Sequence, residues 1–530
     1  LALSTNPDFL AIIERSRARL KQEGGVSSDE VRRMMQELDS QQSETTEHNT
    51  FTEKPATTIR PARSPRTLLA IHMGKAAIAL SRGLRLGGGT TFPGTLARRI
   101  APRVLHTLSA ALPQGVVLLS GTNGKTTTAR MIAGLLREDG RRVLHNRAGA
   151  NLVSGLTATA LASSSIGGTP RADMGLFETD EAALAQALAE TQPRLVIIHN
   201  LFRDQLDRYG EVDTLAQAWH AALATLPATA TVLLNADDPA VAYLGHNLTA
   251  RVRYYGLEDA RHATGAAAHT ADSQFCRRCG TRYHYDRSFY GHIGHYTCPD
   301  CGHTRPEPHV RLVRLDLQGA EQSRLFITYP GGALELHLPL PGLYNAINAL
   351  AATAAGLCLD IAPAHIRAAL EGFSAAFGRI ERVHAGPNGA PMLIALIKNP
   401  VGASETVRML IDSTETDGLS LHLLVAINDR YADGTDVSWL WDAAFEPLAN
   451  HVAAAVVSGT RADDMAVRLK YAGVAPDRIA VETDLPQALD RALAALPAGD
   501  TLFILPTYTA MLELRDNLAQ RGWVRQFWEA

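Results

Sequence analysis

The sequence predicts an α/β protein of two consecutive parallel-sheet domains, the first interrupted by a four-cysteine insertion. Three observations carry that expectation. Short apolar runs of buried-strand type alternate with helical patterns from Val116 to Asn235, and again from Met392 to Leu505. The first run, Val116–Ser120, leads directly into Gly121-Thr-Asn-Gly-Lys-Thr-Thr127 and then a helix. Between the two alternating regions stand Cys276-Arg-Arg-Cys279 and Cys298-Pro-Asp-Cys301, two knuckles at the spacing of a zinc site.

Taken in order, residues 1–65 carry one short helical pattern (Phe9, Ile12, Ile13, Leu20, then Val31, Met34, Met35, Leu38). The polar stretch Gln41–Pro65 follows, too poor in apolar residues to fold alone. We expect a dispensable extension on a disordered linker, and no signal peptide, since no apolar core is present. Residues 66–103 read as a helix, a turn at Gly87–Gly89 and a second helix. Strands are expected at Val116–Ser120, Arg142–His145, Met174–Phe177, Leu195–His199 and Thr231–Asn235, with a helix at Thr126–Arg137. This βαβ alternation implies a parallel sheet covered by helices. Residues from about 268 to 309 are polar and rich in His and Tyr, and are expected to form the insertion. Strands resume over 310–338, and Asn345–Leu357 reads as a helix, closing a first domain of residues 66–375. The second domain, residues 376–530, is smaller and Rossmann-like. Its strands are expected at Met392–Ile397, Leu421–Ile427, Val452–Val457, Arg478–Val481 and Thr501–Leu505, with helices at Glu405–Ile411, Ala462–Ala472, Leu485–Leu496 and Met511–Arg521.

The composition narrows the function class. A net charge of −3 and a pI near 6.7 argue against a general nucleic-acid binder. No apolar stretch is long enough to span a bilayer. Outside the knuckles only Cys358 remains, in an apolar run, and reads as a buried core thiol. Without a disulfide framework the expected compartment is reducing and cytoplasmic.

The glycine-lysine-threonine run departs from the strict phosphate-loop pattern, because Leu119 stands where its first glycine would be. What remains is chemically complete. Gly121, Thr122, Asn123, Gly124, Lys125, Thr126 and Thr127 can cradle phosphates with backbone N–H groups at a helix N-terminus. Lys125 supplies a point charge, and the Thr126 hydroxyl can ligate Mg2+. Glu178 ends a strand beside the loop and is expected to share that Mg2+, whereas Asp180 and Glu181 read as a solvated turn. Among Asn200, Arg203, Asp204 and Asp207, one or two are expected at the phosphate or metal, the rest in surface ion pairs. Asn235 and Asp237, at another strand end, offer groups for a ribose or adenine. Cys276, Cys279, Cys298 and Cys301 complete a tetrahedral zinc set with no open position, so the metal is structural and His292, His295 and His303 are bystanders. Asp433 and Asp436 read as caps of a helix beginning near Val437.

The order of these motifs, with Gly342-Leu-Tyr-Asn-Ala-Ile-Asn348 and Phe377-Gly-Arg379 after them, resembles the Mur ligase superfamily. That resemblance implies a ligase that uses ATP to activate a carboxylate as an acyl phosphate, which an amine then attacks. It implies adenine contacts at Asn345 and Asn348, and a phosphoryl-stabilising role for Arg379 beside Lys125. Two departures narrow it. No uridine-binding domain is evident ahead of the loop, and Leu396-Ile-Lys-Asn-Pro400 replaces the usual D-[YF]-[AG]-H-[NK]-P signature. Together with the cysteine insertion and the runs His145–Leu152 and Asp433–Trp439, they resemble one branch, the synthetase subunit of a two-protein lipid II isoglutaminyl synthase. For that branch the implied activity is amidation of the α-carboxylate of D-glutamate in the lipid II stem peptide, in peptidoglycan synthesis at the inner membrane face. The implied cofactors are ATP, Mg2+ and structural Zn2+. Ammonia would come from a GatD-type glutaminase subunit in a heterodimer, with Asp436 completing that partner's Cys–His pair. The alternatives are a stand-alone Mur or folylpolyglutamate-type amino-acid ligase and a non-catalytic nucleotide-binding zinc scaffold. Lys398-Asn-Pro400 speaks against the first, and intact Lys125, Thr126 and Glu178 against the second.

Overall fold

A computed structural model describes residues 64–83, 91–146, 150–203, 212–264, 272–319, 321–374, 380–384, 389–417 and 420–524. The expected extension, the Gly87–Gly89 turn, Asp204, Asp207 and Arg379 lie outside the described residues.

Helices α1 (Pro65–Gly83), α2 (Phe92–Ile100) and α3 (Val104–Ser109) precede the central strand β1 (Val116–Ser120). Then come α4 (Lys125–Glu138), β2 (Val143–His145), α5 (Val153–Ala162), β3 (Met174–Glu178), α6 (Leu184–Thr191) and β4 (Leu195–Ile198). They are followed by α7 (Val212–Ala224), β5 (Thr231–Asn235), α8 (Pro239–Tyr243) and β6 (Arg251–Leu257). The cysteine insertion contributes a separate antiparallel hairpin, β7 (His284–Tyr290) and β8 (Ile293–Thr297). An antiparallel meander, β9 (Val310–Gln318), β10 (Gln322–Tyr329) and β11 (Gly332–Leu338), closes the sheet and leads to α9 (Leu343–Cys358) and α10 (Pro363–Glu371).

The sheet runs β11-β10-β9-β6-β5-β4-β1-β3-β2, with β2 through β6 parallel to β1. Alternation along β1 explains its layers: Val117 and Leu119 pack with Ile132 and Leu136 of α4 and Leu350 of α9, whereas Val116 and Leu118 face Leu156, Leu184 and Trp219. Helices on both sides leave every residue of β1, β3 and β4 buried, which is why these strands read as unbroken apolar runs. Strand β6 was not anticipated, because Arg251-Val-Arg-Tyr starts half-exposed and lacks such a run. Cys358 packs against the core as expected, its thiol pushed up to about 11 by burial.

The second sheet is assembled from β12 (Glu381–His384), β13 (Pro391–Ile394), β14 (Leu421–Ala426), β15 (Val452–Ser458), β16 (Ile479–Val481) and β17 (Leu502–Pro506). Its order is β12-β13-β17-β14-β15-β16, parallel except for the edge strand β12. Around it lie α11 (Pro400–Asp417), α12 (Trp439–Asp442), α13 (Ala462–Tyr471), α14 (Leu485–Ala494) and α15 (Tyr508–Gln520), covering separate apolar clusters on its two faces. Helix α11 begins earlier than the sequence periodicity suggests. Asn399 Oδ1 accepts the Gly402 N–H (2.8 Å) and Pro400 follows, a cap signal stronger than the apolar pattern it precedes. No helix among the described residues is long and apolar enough to cross a membrane.

Helix α11 also joins the two regions, since Arg408 donates to Phe289 O (2.8 Å) of β7 and to His262 O (3.0 Å). Beside it, burial pushes the Glu405 carboxyl up to about 7, opposed only in part by Arg408. A carboxyl raised on folding contributes stability below the ordinary glutamate range and loses it as pH rises through about 7. Glu405→Gln should therefore raise the melting temperature at pH 8, by on the order of a few kcal/mol of stability, and change it little near pH 4.5.

Candidate active site and cysteine module

The parallel order places the C-terminal ends of β3, β1 and β4 side by side, with Leu119 paired to both Glu178 and Ile197. Ligands of open α/β sheets bind at such an edge, where connections leave in opposite directions. Here the loop Gly121–Gly124 turns from β1 into α4. Gly121 and Gly124 hold φ of 141° and 81°, conformations L side chains rarely adopt. A Cβ on Gly124 would lie 2.2 Å from Asn348 Oδ1 and 2.9 Å from the His199 ring. Gly124→Ala should therefore weaken ATP binding by at least ~10-fold, measurable by calorimetric titration, whereas an alanine elsewhere on the surface of α4 should not.

The loop is braced from β4. Thr122 N–H donates to Asn200 O (3.0 Å), and Asn123 N–H to Asn200 Oδ1 (2.8 Å). Asn200 Nδ2 returns a bond to Asn123 O (3.0 Å), and Phe202 N–H donates to Thr122 Oγ1 (3.0 Å). Asn200 thus shapes the loop, while Arg203 forms an ion pair with Asp272. The backbone of Glu178 is pinned by Asn146, which accepts its N–H (2.9 Å) and donates to its carbonyl (2.8 Å).

Two carboxylates meet the loop residues. Thr126 Oγ1 stands 3.0 Å from Glu178 Oε1. Neighbouring oxygens in an Mg2+ octahedron stand about 3 Å apart, so the pair fits that ion. Glu181, expected in a solvated turn, is instead buried and forms an ion pair with Lys125 Nζ at 2.8 Å. Burial pushes its carboxyl up, while Lys125 and then Lys398 pull it back. A carboxylate in an acidic turn carries no local sign of where the chain will fold it; only the register of β3 beside β1 does that.

His199 is a second residue missed from the sequence. It is buried, which pushes it down to about 4 and keeps it neutral. Its Nε2 lies 2.7 Å from Asn348 Oδ1 and its Nδ1 2.6 Å from the Tyr255 hydroxyl. Since Asn348 offers an acceptor, Nε2 carries the proton and Tyr255 O–H donates to Nδ1. Asn348 Nδ2 lies 3.4 Å from Asn345 Oδ1, and Asn345 Nδ2 donates to Pro341 O (2.8 Å). Tyr255, His199, Asn348 and Asn345 thus form one directed chain that locks α9 against the phosphate loop. A polar residue immediately after a wholly apolar strand was the only available signal for His199. The second domain reaches the same loop, for Asn399 Nδ2 donates to Asn123 Oδ1 (2.9 Å). Buried Nδ2 atoms of Asn123 and Asn235 have no hydrogen-bond partner among the described residues, as suits a ligand rich in acceptors.

Asp237 departs from expectation. Its carboxylate does not face a nucleotide: it binds Arg305 Nε (2.7 Å) and the Leu257 N–H (2.8 Å). Asp238 caps α8, accepts the Leu201 N–H (2.8 Å) and lies 3.1 Å from His292 Nε2. Both aspartates therefore fasten the Asn235–Pro239 turn to the cysteine module, and spacing alone could not separate that from ligand binding. His292 is a buried partner in this contact rather than a bystander. His295 Nε2–H donates to Leu257 O (2.8 Å), and His303 Nδ1 lies 2.9 Å from the Tyr283 hydroxyl.

The four sulfurs lie within 4.8 Å of one another, with Cys276–Cys301 at 3.6 Å and Cys279–Cys298 at 3.3 Å. Thiolates sharing a tetrahedral Zn2+ at ~2.3 Å stand about 3.8 Å apart, so the donor set fits that ion and no disulfide. All four are free cysteines.

Asp436 lies far along the chain, in the second domain, exposed, with its Oδ1 accepting the Ser438 N–H (2.8 Å). That bond holds its carboxyl below the usual range, and it stays ionised. Asp433, its neighbour, is buried and accepts the Thr509 N–H (2.7 Å) and hydroxyl (2.5 Å), tying the loop to α15. The two aspartates expected as equivalent caps are thus different: one anchors the loop and the other projects from it.

What the two sheets and the braced phosphate loop define together is an ATP-dependent ligase of the Mur type. The family described as Mur ligase middle domain matches residues 119–293, and MurT ligase C-terminal matches residues 396–511. The lipid II isoglutaminyl synthase (glutamine-hydrolyzing) subunit MurT of Streptococcus pneumoniae (strain ATCC BAA-255 / R6) is 34% identical over 465 residues, covering 87% of this chain and 99% of that protein. Its namesake from Staphylococcus aureus (strain N315) is 32% identical over 454 residues, covering 86% and 98%. The chain belongs to the MurT family. Among solved structures, MurF from Acinetobacter baumannii aligns with a TM-score of 0.57 at 17% identity over 80% of each chain. A pseudomurein peptide ligase type C from Methanothermus fervidus gives 0.56 at 21% identity over 77% of this chain and 78% of that one. Both share its fold.

Proposed function

We propose that this chain amidates the α-carboxylate of D-glutamate in the lipid II stem peptide, at the cytoplasmic face of the membrane, with ammonia from a GatD-type glutaminase subunit. The observation that carries the reading is a likeness to the Streptococcus pneumoniae subunit over 99% of its length, in a chain that retains Lys125, Thr126 and Glu178. A stand-alone amino-acid ligase is disfavoured by Leu396-Ile-Lys-Asn-Pro400, and a non-catalytic scaffold by intact Lys125, Thr126 and Glu178, the last two 3.0 Å apart.

In the first step a substrate carboxylate oxygen attacks the γ-phosphorus of ATP. The bond to the bridging oxygen breaks, ADP departs and an acyl phosphate forms. Mg2+, held by Thr126 and Glu178, would neutralise charge across the β- and γ-phosphates. Gly121 to Thr127 present N–H donors and the Lys125 charge at the site of transfer. Asn345 and Asn348, whose amides bond Pro341 O, one another and His199, are assigned to the adenine side by the family order of motifs, Asn235 offers its Nδ2, and Arg379 is assigned to the transferring group. In the second step the ammonia lone pair attacks the acyl carbon, inorganic phosphate leaves and a proton is lost, giving the amide. Ammonia must arrive neutral and sheltered from water, which favours a partner that makes it in place. Zn2+ on Cys276, Cys279, Cys298 and Cys301 is structural.

Exposed Asp436 suits a residue that works on the partner, orienting the glutaminase histidine and stabilising its imidazolium. Asp436→Asn should cut glutamine hydrolysis by about 10^2- to 10^4-fold while free ammonia still supports amidation. Normal glutaminase turnover in that variant would reject the shared site. The whole reading is tested by assaying glutamine- and ATP-dependent amidation of lipid II with and without the glutaminase; incorporation of an amino acid in place of ammonia would overturn it.

A further inference from the structure

We propose that helices α1 and α2 form the surface by which this protein rests on an anionic phospholipid bilayer. The outward side of α1 is apolar: Leu69, Met73 and Leu80 are 53%, 44% and 64% exposed. At 100° per residue these three fall within about 40° of one another, on one stripe. The inward side, Ala70, Ile71 and Gly74, packs on Ala97 and Leu161 of α2 and α5. A helix on a water-facing surface ordinarily turns a polar side outward, whereas α1 turns this apolar stripe outward between exposed Arg66 and His72. Arg66 Nε donates to Ile100 O, so the helices run antiparallel and Leu80 lies toward the start of α2, where Phe92 is 62% exposed.

Charge identifies the occupant. No Asp or Glu occurs between Glu53 and Glu138, in a chain whose acidic residues outnumber its Lys and Arg overall. Arg66 of α1, Arg99 of α2 and Arg103, between α2 and α3, are exposed. A protein partner presents both signs and tolerates carboxylates opposite its cations; helices that carry no acid of their own, with the neighbouring Glu190 neutralised by Arg98, suit a surface of uniform negative charge. An apolar stripe flanked by arginines is how an amphipathic helix lies in a lipid interface, each cation adding attraction near anionic headgroups.

The same surface adjoins the chemistry. Gly94 of α2 lies against the Ser154 carbonyl of α5, which a Cβ there would approach to 1.8 Å. Leu152, also exposed, precedes α5, and Asn151 O accepts the Asp180 N–H (3.0 Å) of the turn between Glu178 and Glu181. The apolar edge is thus one backbone hydrogen bond from the catalytic turn, and a substrate held in the bilayer by its lipid could reach the site without leaving the surface. That functional gain rests on the lipid-linked substrate proposed above.

The test is flotation of the full chain with vesicles of phosphatidylcholine alone, or of phosphatidylcholine and phosphatidylglycerol in equal parts, containing no lipid II. Binding is expected to the anionic vesicles, weakened by salt and reduced at least ~10-fold in Leu69→Glu/Met73→Glu/Leu80→Glu. These positions are solvent-exposed, so the triple variant should keep its melting temperature and ATP affinity. In Leu69→Trp, anionic vesicles should shift the tryptophan emission to the blue. Failure of the parent chain to bind, or equal binding by the triple variant, overturns the proposal. So does a triple variant that still binds vesicles but loses self-association or the glutaminase, which would make the face a protein interface. Because the vesicles hold no substrate, failure to amidate lipid II would remove the proposed function and leave this result intact.

Discussion

Lys125→Ala is expected to lower ATP-dependent turnover by about 10^3-fold or more, since a charge aimed at the transferring phosphoryl group is lost from a water-poor site. The same substitution leaves Glu181 buried without the cation now 2.8 Å away, and breaking a buried pair costs on the order of 3–5 kcal/mol. Stability and catalysis must therefore be separated. Lys125→Met/Glu181→Gln removes both charges and should recover much of the melting temperature that Lys125→Ala loses, yet none of its activity. If the double variant regained turnover, the lysine would be no more than the counter-ion of Glu181. Full activity in Lys125→Ala would remove the assigned ATP site.

Loss of the zinc proposed for the cysteine module should have the second large effect. Structural zinc contributes ~10–16 kcal/mol of apparent folding free energy in small modules, comparable to the whole stability of a domain. Cys276→Ser, or a strong chelator, should therefore release one zinc per chain in elemental analysis and lower the melting temperature by at least about 10 °C. The consequence should not stop at the hairpin. Arg305 and His292 grip Asp237 and Asp238, whose turn begins at Asn235 on the edge that carries the nucleotide site. A rise in the KM for ATP is accordingly expected with the metal removed, and its restoration when zinc returns. A chain that purified without metal and melted normally would overturn the zinc assignment.

Much of the fold was legible because parallel strands buried on both faces admit no alternation. Val116–Ser120 and Thr231–Asn235 have the bounds their apolar runs implied. Strand β6 and the true start of α11 were not, since one is half-exposed and the other begins with a cap. In the site, the loop residues were legible because Gly-Lys-Thr between a strand and a helix has few other uses. Glu181, His199 and Asn399 were not legible. Each lies on a different element, and each acquires its partner only when β3, β4 and the second domain converge on the loop.

The sequence by itself determined the chemistry on offer: a phosphate loop, a strand-end carboxylate, four cysteines at metal spacing and a family order of motifs. Those depend on residue types at short separations, which the covalent chain holds wherever it folds. The tertiary structure decided which polar residues share a space. It brought Glu181 to Lys125 across 56 positions and His199 to Asn348 across 149, and it turned Asp237 away from the nucleotide edge into Arg305. Burial also sets the direction in which they titrate, because removal from water, not sequence neighbourhood, raises Glu181 and lowers His199.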